Sequence, residues 1–522
     1  MTNAVKSPIN IVWLKRDLRL HDHAPLAVSC AERATLVVFC WDPEFWLGGD
    51  HARQHAVFVQ ECLAEMRKGL RRLGLELLEW PGSMTEALSA IAARYHVCRL
   101  FSHEETGNLA SFKIDRTVAD WCRHHRVTWV EYPQNGVVRK LKSRDQWTTL
   151  WEQRMREPLA PALRPVEPSP AMIAPDLMPT VPAGNDKPRR QRGGRAQAEF
   201  VLDSFLSGRA QRYRGGISSP LRAVSACSRL SPYLAWGVLG MRETVQATRR
   251  AVQVTQEQPH DFGPAMLSGL RAFEQRLHWH CHFMQKLESE PELEIRNLHS
   301  AFDGIRDEAL STVESQRRLE AWAKGQTGWP LVDACMAMLR ETGWINFRMR
   351  AMLMSNASYL LWLHWRHTSL HLAREFLDYE AGIHWPQSQM QSGTTGINTL
   401  RMYNPVKQAM DQDPDGAFVR RWLPSLRRVP DSWLFEPWRM PSCLQQRHGC
   451  VIDRDYPAPC VDIGLAMREA RAMMSKAIRP GHHAAETADI VRRHASRKSA
   501  YTSRDKVPAK SEQSDHRQQT LF

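Results

Sequence analysis

Three segments decide how this chain folds: GWPLVDACMAMLRETGWINFRMRAMLMSNASYLLWLHWR (328–366), DYEAGIHWPQSQMQSGTTGINTLRMYNPVKQ (378–408) and DQDPDGAFVRRWLPSL (411–426). Leu331, Cys335, Met338 and Leu339 recur at three- and four-residue spacing ahead of Gly343, which predicts an amphipathic helix and its stop. A second helix of Met, Leu, Ala and Tyr follows, yet it carries Arg348 and Arg350. At least one of these guanidinium groups is expected to face inward and to need a carboxylate. The block reads as helical core wrapped around a polar pocket.

Upstream the period changes. Ile9–Trp13, Thr35–Trp41, Leu75–Glu79, Arg99–Ser102 and Val127–Glu131 are short apolar runs separated by helical sequence, which predicts a doubly wound parallel sheet. WLKRDLRLHDHAPL (13–26), between the first two, reads by itself as a solvated loop and helix start. Nine prolines from Pro158 to Pro188 and the run KPRRQRGGR (187–195) predict a linker, extended by its prolines and kept in water by its charge. Helices dominate afterwards. The expected organisation is an α/β domain over 1–157, a linker over 158–195, an all-helical domain over 196–480 and an extension over 481–522, disordered from about 496.

Lys plus Arg number 70 against 56 for Asp plus Glu, a net charge of +14 that favours a polyanionic partner such as nucleic acid. The uncharged stretch Ala351–Trp365 is too short and too polar to span a bilayer, and MTNAVKSPIN lacks an apolar signal region, so a cytoplasmic location is expected. Eleven cysteines with no CxxC pair point neither to a disulfide framework nor to a cysteine zinc site, and no metal is expected. On the helix Met266–Glu288, Met266, Leu270, Phe273, Leu277 and Met284 form a core stripe. Arg276, Trp279, His280 and Phe283 occupy another face. An aromatic ring beside cationic or potentially cationic groups suits a flipped-out base.

The 328–426 block, the opening WLKRDLRLHDHAPL and the segment YRGGISSPLRAVSACSRLSPYLAWGVLG (213–240) together resemble the cryptochrome and photolyase family, from Ile11 to about Arg479. The resemblance implies FAD in the helical domain and blue-light-driven electron transfer. It places Tyr213, Ser228, Arg229, Leu230 and Ser231 on the pyrophosphate side, where hydroxyls, an Arg and free amides at a helix start suit an anion. Asp378 and Glu380 match the family's paired acids on the ring and ribose sides, with Arg350 as partner. His384 falls opposite flavin N5, where photolyases usually carry Asn; an imidazole there can change charge between pH 5 and 8.

The resemblance also assigns a DNA face comprising Arg276, Trp279, His280, Phe283, Phe347, Arg348 and Gln408, with Trp279 stacking on the lesion. Arg276 replaces the Glu of cyclobutane-dimer photolyases, and Asn346 stands where (6-4) photolyases have a catalytic His. Of the family's three electron-carrying tryptophans only Trp365 matches, with Ser388 and Thr312 in the other places, so the route is expected through Trp385 or Trp362. SHEETGN (102–108) lies where some relatives bind a folate antenna but matches poorly, and a second chromophore of unknown identity is left open. The late trio Cys443, Cys450 and Cys460 lacks the close pair of the iron-sulfur branch. The function implied is repair of pyrimidine dimers in DNA, with Trp279, His384 and Arg276 at the reacting centre. The competing function is a photoreceptor without repair, favoured by Arg276, His384 and the missing tryptophans. Finally, Gln518, Leu521 and Phe522 resemble the short peptide by which bacterial repair proteins dock on the sliding clamp.

Overall fold

A computed structural model describes residues 6–166, 170, 178–257, 262–397, 400–477 and 483–494. The five apolar runs become β1 (Pro8–Leu14), β2 (Thr35–Cys40), β3 (Leu77–Trp80), β4 (His96–His103) and β5 (Thr128–Tyr132). All pair in parallel, in the order β3-β2-β1-β4-β5. Alternation then sends side chains to two different cores. Ile11, Trp13, Leu36 and Val38 pack beneath α2 (Met84–Arg94) and α3 (Leu109–His125). Val12, Leu14, Val37 and Phe39 join α1 (Arg53–Arg72) in a core that continues into the helical half through Tyr233, Phe273 and Leu277. The sheet domain is thus welded to the helices by its own second face.

In the helical half the elements that position the site and its surroundings include α4 (Gly263–Ser289), α5 (Pro330–Thr342), α6 (Phe347–Ser355), α7 (Trp365–Glu375), α8 (Ala381–Ser392), α9 (Pro405–Gln412) and α10 (Ala484–His494). Gly343 ends α5 at φ 66°, a left-handed stop. Gly382 lets α8 lie directly on α4, because a Cβ there would sit 2.8 Å from Met284 Cα. No helix among the described residues is long and apolar enough to cross a membrane. The tail from 496, with Gln518, Leu521 and Phe522, lies outside the described residues.

Two sequence expectations are corrected here. The charged run after β1 is not a solvated loop: Asp17 and Arg19 are buried, and Asp17 Oδ2 lies 2.6 Å from His103 Nδ1. Arg19 donates to the carbonyls of Asp22 and Gly237. Nor is the whole basic end of the linker kept in water, although Arg189 and Arg192 stay exposed. Arg190 pairs with Glu61 at 2.9 Å, and Lys187 pairs with Glu375 at 2.5 Å while donating to the Leu339 carbonyl. Charge alone could not reveal this, because Glu61 and Glu375 each lie more than a hundred residues from their partner.

Candidate functional site

Helices α4, α6, α8 and α9 enclose a cavity of about 1060 Å³, at the upper end of the range for small-molecule sites. Its wall between α7 and α8 carries the acids. Arg350 Nη2 donates to Asp378 Oδ2 at 2.9 Å, Arg350 Nε donates to the Ile345 carbonyl, and the guanidinium lies 4.1 Å over the Phe376 ring. The inward arginine expected from the sequence is therefore Arg350, and its carboxylate is Asp378. Asp378 Oδ1 has no partner among the described residues. Glu380 is committed elsewhere: its Oε1 accepts from Arg16 Nη1 at 2.9 Å, and Arg16 Nη2 reaches Glu105 at 2.9 Å. These acids do not end a helix. Glu380 caps the start of α8 and accepts from the Gly382 amide, where the helix dipole favours negative charge.

His384 lines the cavity with Nε2 2.8 Å from the Ser369 carbonyl. A carbonyl only accepts, so Nε2 bears the proton and Nδ1 is left as an acceptor. Burial pushes the imidazole down to about 4, so it is neutral from pH 5 to 8. The expectation that it changes charge in that range is corrected. His384→Asn should therefore leave the pH dependence of the bound flavin's visible spectrum unshifted between pH 5.5 and 8. A wild-type transition near pH 6.5 that vanishes in the variant would contradict the assignment.

On α4 the two stripes separate as expected, with Met266, Leu270, Phe273, Leu277 and Met284 buried. Arg276, Trp279, His280 and Phe283 line the cavity instead. Trp279 stacks on Phe283, centroids 5.8 Å apart. Arg276 is held by the Tyr213 hydroxyl. His280 is not cationic, since burial pushes it down to about 4. Phe347, Arg348 and Gln408 also face the cavity, as do Arg401, Tyr403 and Lys407, which the sequence analysis had not singled out.

The phosphate-side segment is only partly at the wall. Tyr213 and Ser231 line the cavity, with Cys227 beside them, whereas Ser228, Arg229 and Leu230 do not. Arg229 adopts φ 63°, which turns its guanidinium 3.8 Å over Trp344 and its Nε onto Gln191. Leu230 is core, and the Ser228 carbonyl accepts from Arg209.

The tryptophans divide likewise. Trp385 sits behind His384 at 5.2 Å and meets Trp365 at 6.2 Å, and both are buried. Trp362 packs in a separate small cluster with Phe302, Tyr359 and Met474. Ser388 faces the cavity.

Residues 10–146 match the family model described as DNA photolyase, and residues 273–476 match the FAD binding domain of DNA photolyase. This chain belongs to the cryptochrome and photolyase family. Among curated relatives, the cryptochrome DASH of Gloeobacter violaceus is 27% identical over 87% of this chain and 93% of its own length. The deoxyribodipyrimidine photo-lyase of Streptomyces griseus is 28% identical over 90% of this chain and 99% of its own. The fold is that of the solved Synechocystis cryptochrome, with a TM-score of 0.78 and 24% identity over 90% of this chain and all of that one. The class III photolyase of Agrobacterium tumefaciens gives a TM-score of 0.73 at 22% identity, over 91% of this chain and 99% of that one. Relatives named for repair and relatives named as cryptochromes therefore both surround this member of the family.

Proposed function

We propose that this protein binds FAD in the 1060 Å³ cavity and uses blue light to repair a pyrimidine lesion in DNA. The observation that carries the reading is the pairing of an aromatic face, Trp279 on Phe283, with a cavity rich in unmatched polar atoms. Asp378 Oδ1, His280 Nδ1, Gln387 Nε2, Gln391 Oε1 and Gln408 Oε1 are buried and lack partners among the described residues. Each such atom costs about 1–3 kcal/mol unless something meets it, and a flavin dinucleotide offers ring, sugar and phosphate groups that can. The residues present fit the cofactor. FAD, when bound, supplies light-driven one-electron chemistry.

The chain's own residues do the rest. Asp378 accepts a donor at Oδ1 while Arg350 fixes its other oxygen. His384 presents Nδ1 as an acceptor and keeps its proton on Nε2. Arg276, Arg348, Arg401 and Lys407 offset phosphate charge, and Trp279 takes the base on its ring face. Trp385 and Trp365 form the electron route, because their rings are in contact behind His384.

No second chromophore is assigned to the cavity of the sheet domain. The space between Trp13, Lys15, Phe39, Trp46 and Trp236 is about 60 Å³, far below the ~300 Å³ of ordinary ligand sites. In SHEETGN, Glu105 is occupied by Arg16 and two backbone amides, and Asn108 by Asp50 and the start of α3. The clamp-docking peptide rests on the sequence alone.

The photoreceptor reading keeps one observation in its favour: Arg276, in the place of the dimer-binding Glu, faces the cavity. Lesion binding decides between them first. Trp279→Ala should weaken lesion-containing DNA relative to undamaged DNA by about 1–3 kcal/mol, as expected for one lost base stack, in fluorescence anisotropy titrations at fixed salt. Equal losses for both DNAs would remove the stacking role and with it the main support for repair.

A further inference from the structure

Two groups of His and acidic side chains converge in the described residues, and distance separates them. Metal bonds of about 2.0–2.1 Å at tetrahedral angles place neighbouring ligand atoms about 3.4 Å apart. In the buried group, Asp17 Oδ2 lies 2.6 Å from His103 Nδ1 and 3.0 Å from His23 Nε2. These are hydrogen-bond lengths. The His23 Nδ1 atom accepts from the Leu26 amide, so its proton is on Nε2, 3.0 Å from the carboxylate. Held at these distances, with a proton on the His23 nitrogen that faces Asp17, that group is spaced for proton sharing and not for an ion.

The second group has the other spacing. Glu486 Oε2 lies 3.4 Å from His483 Nδ1 and 3.7 Å from His299 Nδ1. Glu486 belongs to the first turn of α10, His483 immediately precedes that helix, and His299 belongs to the segment after α4. The Ala301 amide donates to His299 Nδ1 at 3.2 Å, so that nitrogen carries no proton; Nε2 does, 3.0 Å from Thr487 Oγ1. An unprotonated ring nitrogen and a carboxylate oxygen thus lie 3.7 Å apart, near a tetrahedral edge, each accepting one hydrogen bond, from the Ala301 amide and the Ser300 hydroxyl. The carboxylate is itself fixed by the Ser300 amide and hydroxyl, at 2.8 and 2.7 Å. Outer hydrogen bonds of this kind, on the far nitrogen of a His and on a carboxylate, orient metal ligands. The Ala301 contact is long, and water can replace it on a half-exposed turn. His483 and Glu486 are about one-third exposed, at 30% and 32%, which leaves positions for water on a bound ion.

We propose that His299, His483 and Glu486 bind one zinc-class divalent cation, which clasps α10 onto the helical domain. Two imidazoles and one carboxylate with open positions suit Zn²⁺ or Co²⁺ over Mg²⁺ or Ca²⁺, which prefer oxygen ligands. The other end of α10 is already held, by the ion pair of Arg493 with Glu290 at the end of α4. A cation at its start fixes both ends of the helix. The inference stands apart from the flavin reading.

The test uses the full, untagged chain, stripped with a chelator and titrated with Zn²⁺ by calorimetry and with Co²⁺ by visible absorption. One ion per chain with micromolar affinity is expected. His483→Ala and Glu486→Gln, both at half-exposed positions, should each weaken it about tenfold or more while the far-ultraviolet circular dichroism stays unchanged. Saturating Zn²⁺ should also raise amide-exchange protection in residues 484–494 about tenfold in the wild type and not in the variants. The site is overturned by no binding up to millimolar Zn²⁺, or by binding that neither variant weakens. The clasp is overturned if Zn²⁺ binds at these residues and protection of α10 does not change.

Discussion

Asp378→Ala is expected to yield protein without flavin. Asp378 is buried and its Oδ2 neutralises Arg350, whose other contacts, the Ile345 carbonyl and the Phe376 ring, cannot replace a carboxylate. Removing one partner of such a pair leaves a buried charge unmatched, at a cost of about 3–5 kcal/mol. The freed guanidinium would also swing into the space the cofactor needs, and the acceptor at Oδ1 would be gone. Asp378→Asn keeps the shape and one acceptor but not the charge, so it should retain part of the flavin. The flavin-to-protein absorbance ratio after gel filtration measures the effect, with a denaturation midpoint on flavin-free protein to separate folding from binding. A stable Asp378→Ala protein with full flavin would refute the placement of this pair.

Arg16→Ala is expected to cost nearly as much by another route. Arg16 is the only residue described here as bridging Glu380 at the cavity wall and Glu105 in the sheet domain, 2.9 Å from each. Both carboxylates are buried, so the variant leaves two negative charges without their cation, at a cost of about 3–5 kcal/mol. The sign with pH follows. Burial already raises Glu380 above its ordinary value, and loss of Arg16 raises it further. A carboxyl whose folded pKa exceeds its unfolded one is stabilising when protonated, and that contribution fades as pH rises. The deficit of Arg16→Ala should therefore be smallest near pH 5 and grow toward pH 8 in denaturant titrations. A deficit independent of pH would mean that the loss is packing and not charge.

Much of the architecture was legible because buried parallel strands are continuous apolar runs and helices carry a period of three to four. Ile9–Trp13 and Thr35–Trp41 could be placed within a residue of β1 and β2 on that ground alone. That one arginine of Arg348 and Arg350 needs a carboxylate was legible too, since a cation in an apolar helix demands a counter-charge; that the pair is Arg350 with Asp378 came from the family resemblance. What was hidden has a common cause. Whether Arg16, Lys187 and Arg190 are solvated or paired depends on chain segments far away in sequence. The charge state of His280 and His384 depends on burial, which no local pattern reports. Ser228, Arg229 and Leu230 lie off the cavity wall and Ser231 on it, with Arg229 in a left-handed turn, and a motif match carries no backbone angle.

The central claim is that the cavity turns light absorbed by FAD into repair of a lesion resting on Trp279. Its most direct measurement is illumination of the reduced, flavin-loaded protein with oligonucleotides carrying a cyclobutane dimer or a (6-4) product, with restored bases counted by chromatography. Light-dependent restoration of one lesion, greatly reduced in Trp279→Ala at equal flavin content, is the predicted result. No restoration of either lesion by protein whose flavin is bound and photoreducible would contradict repair and leave the photoreceptor function in its place.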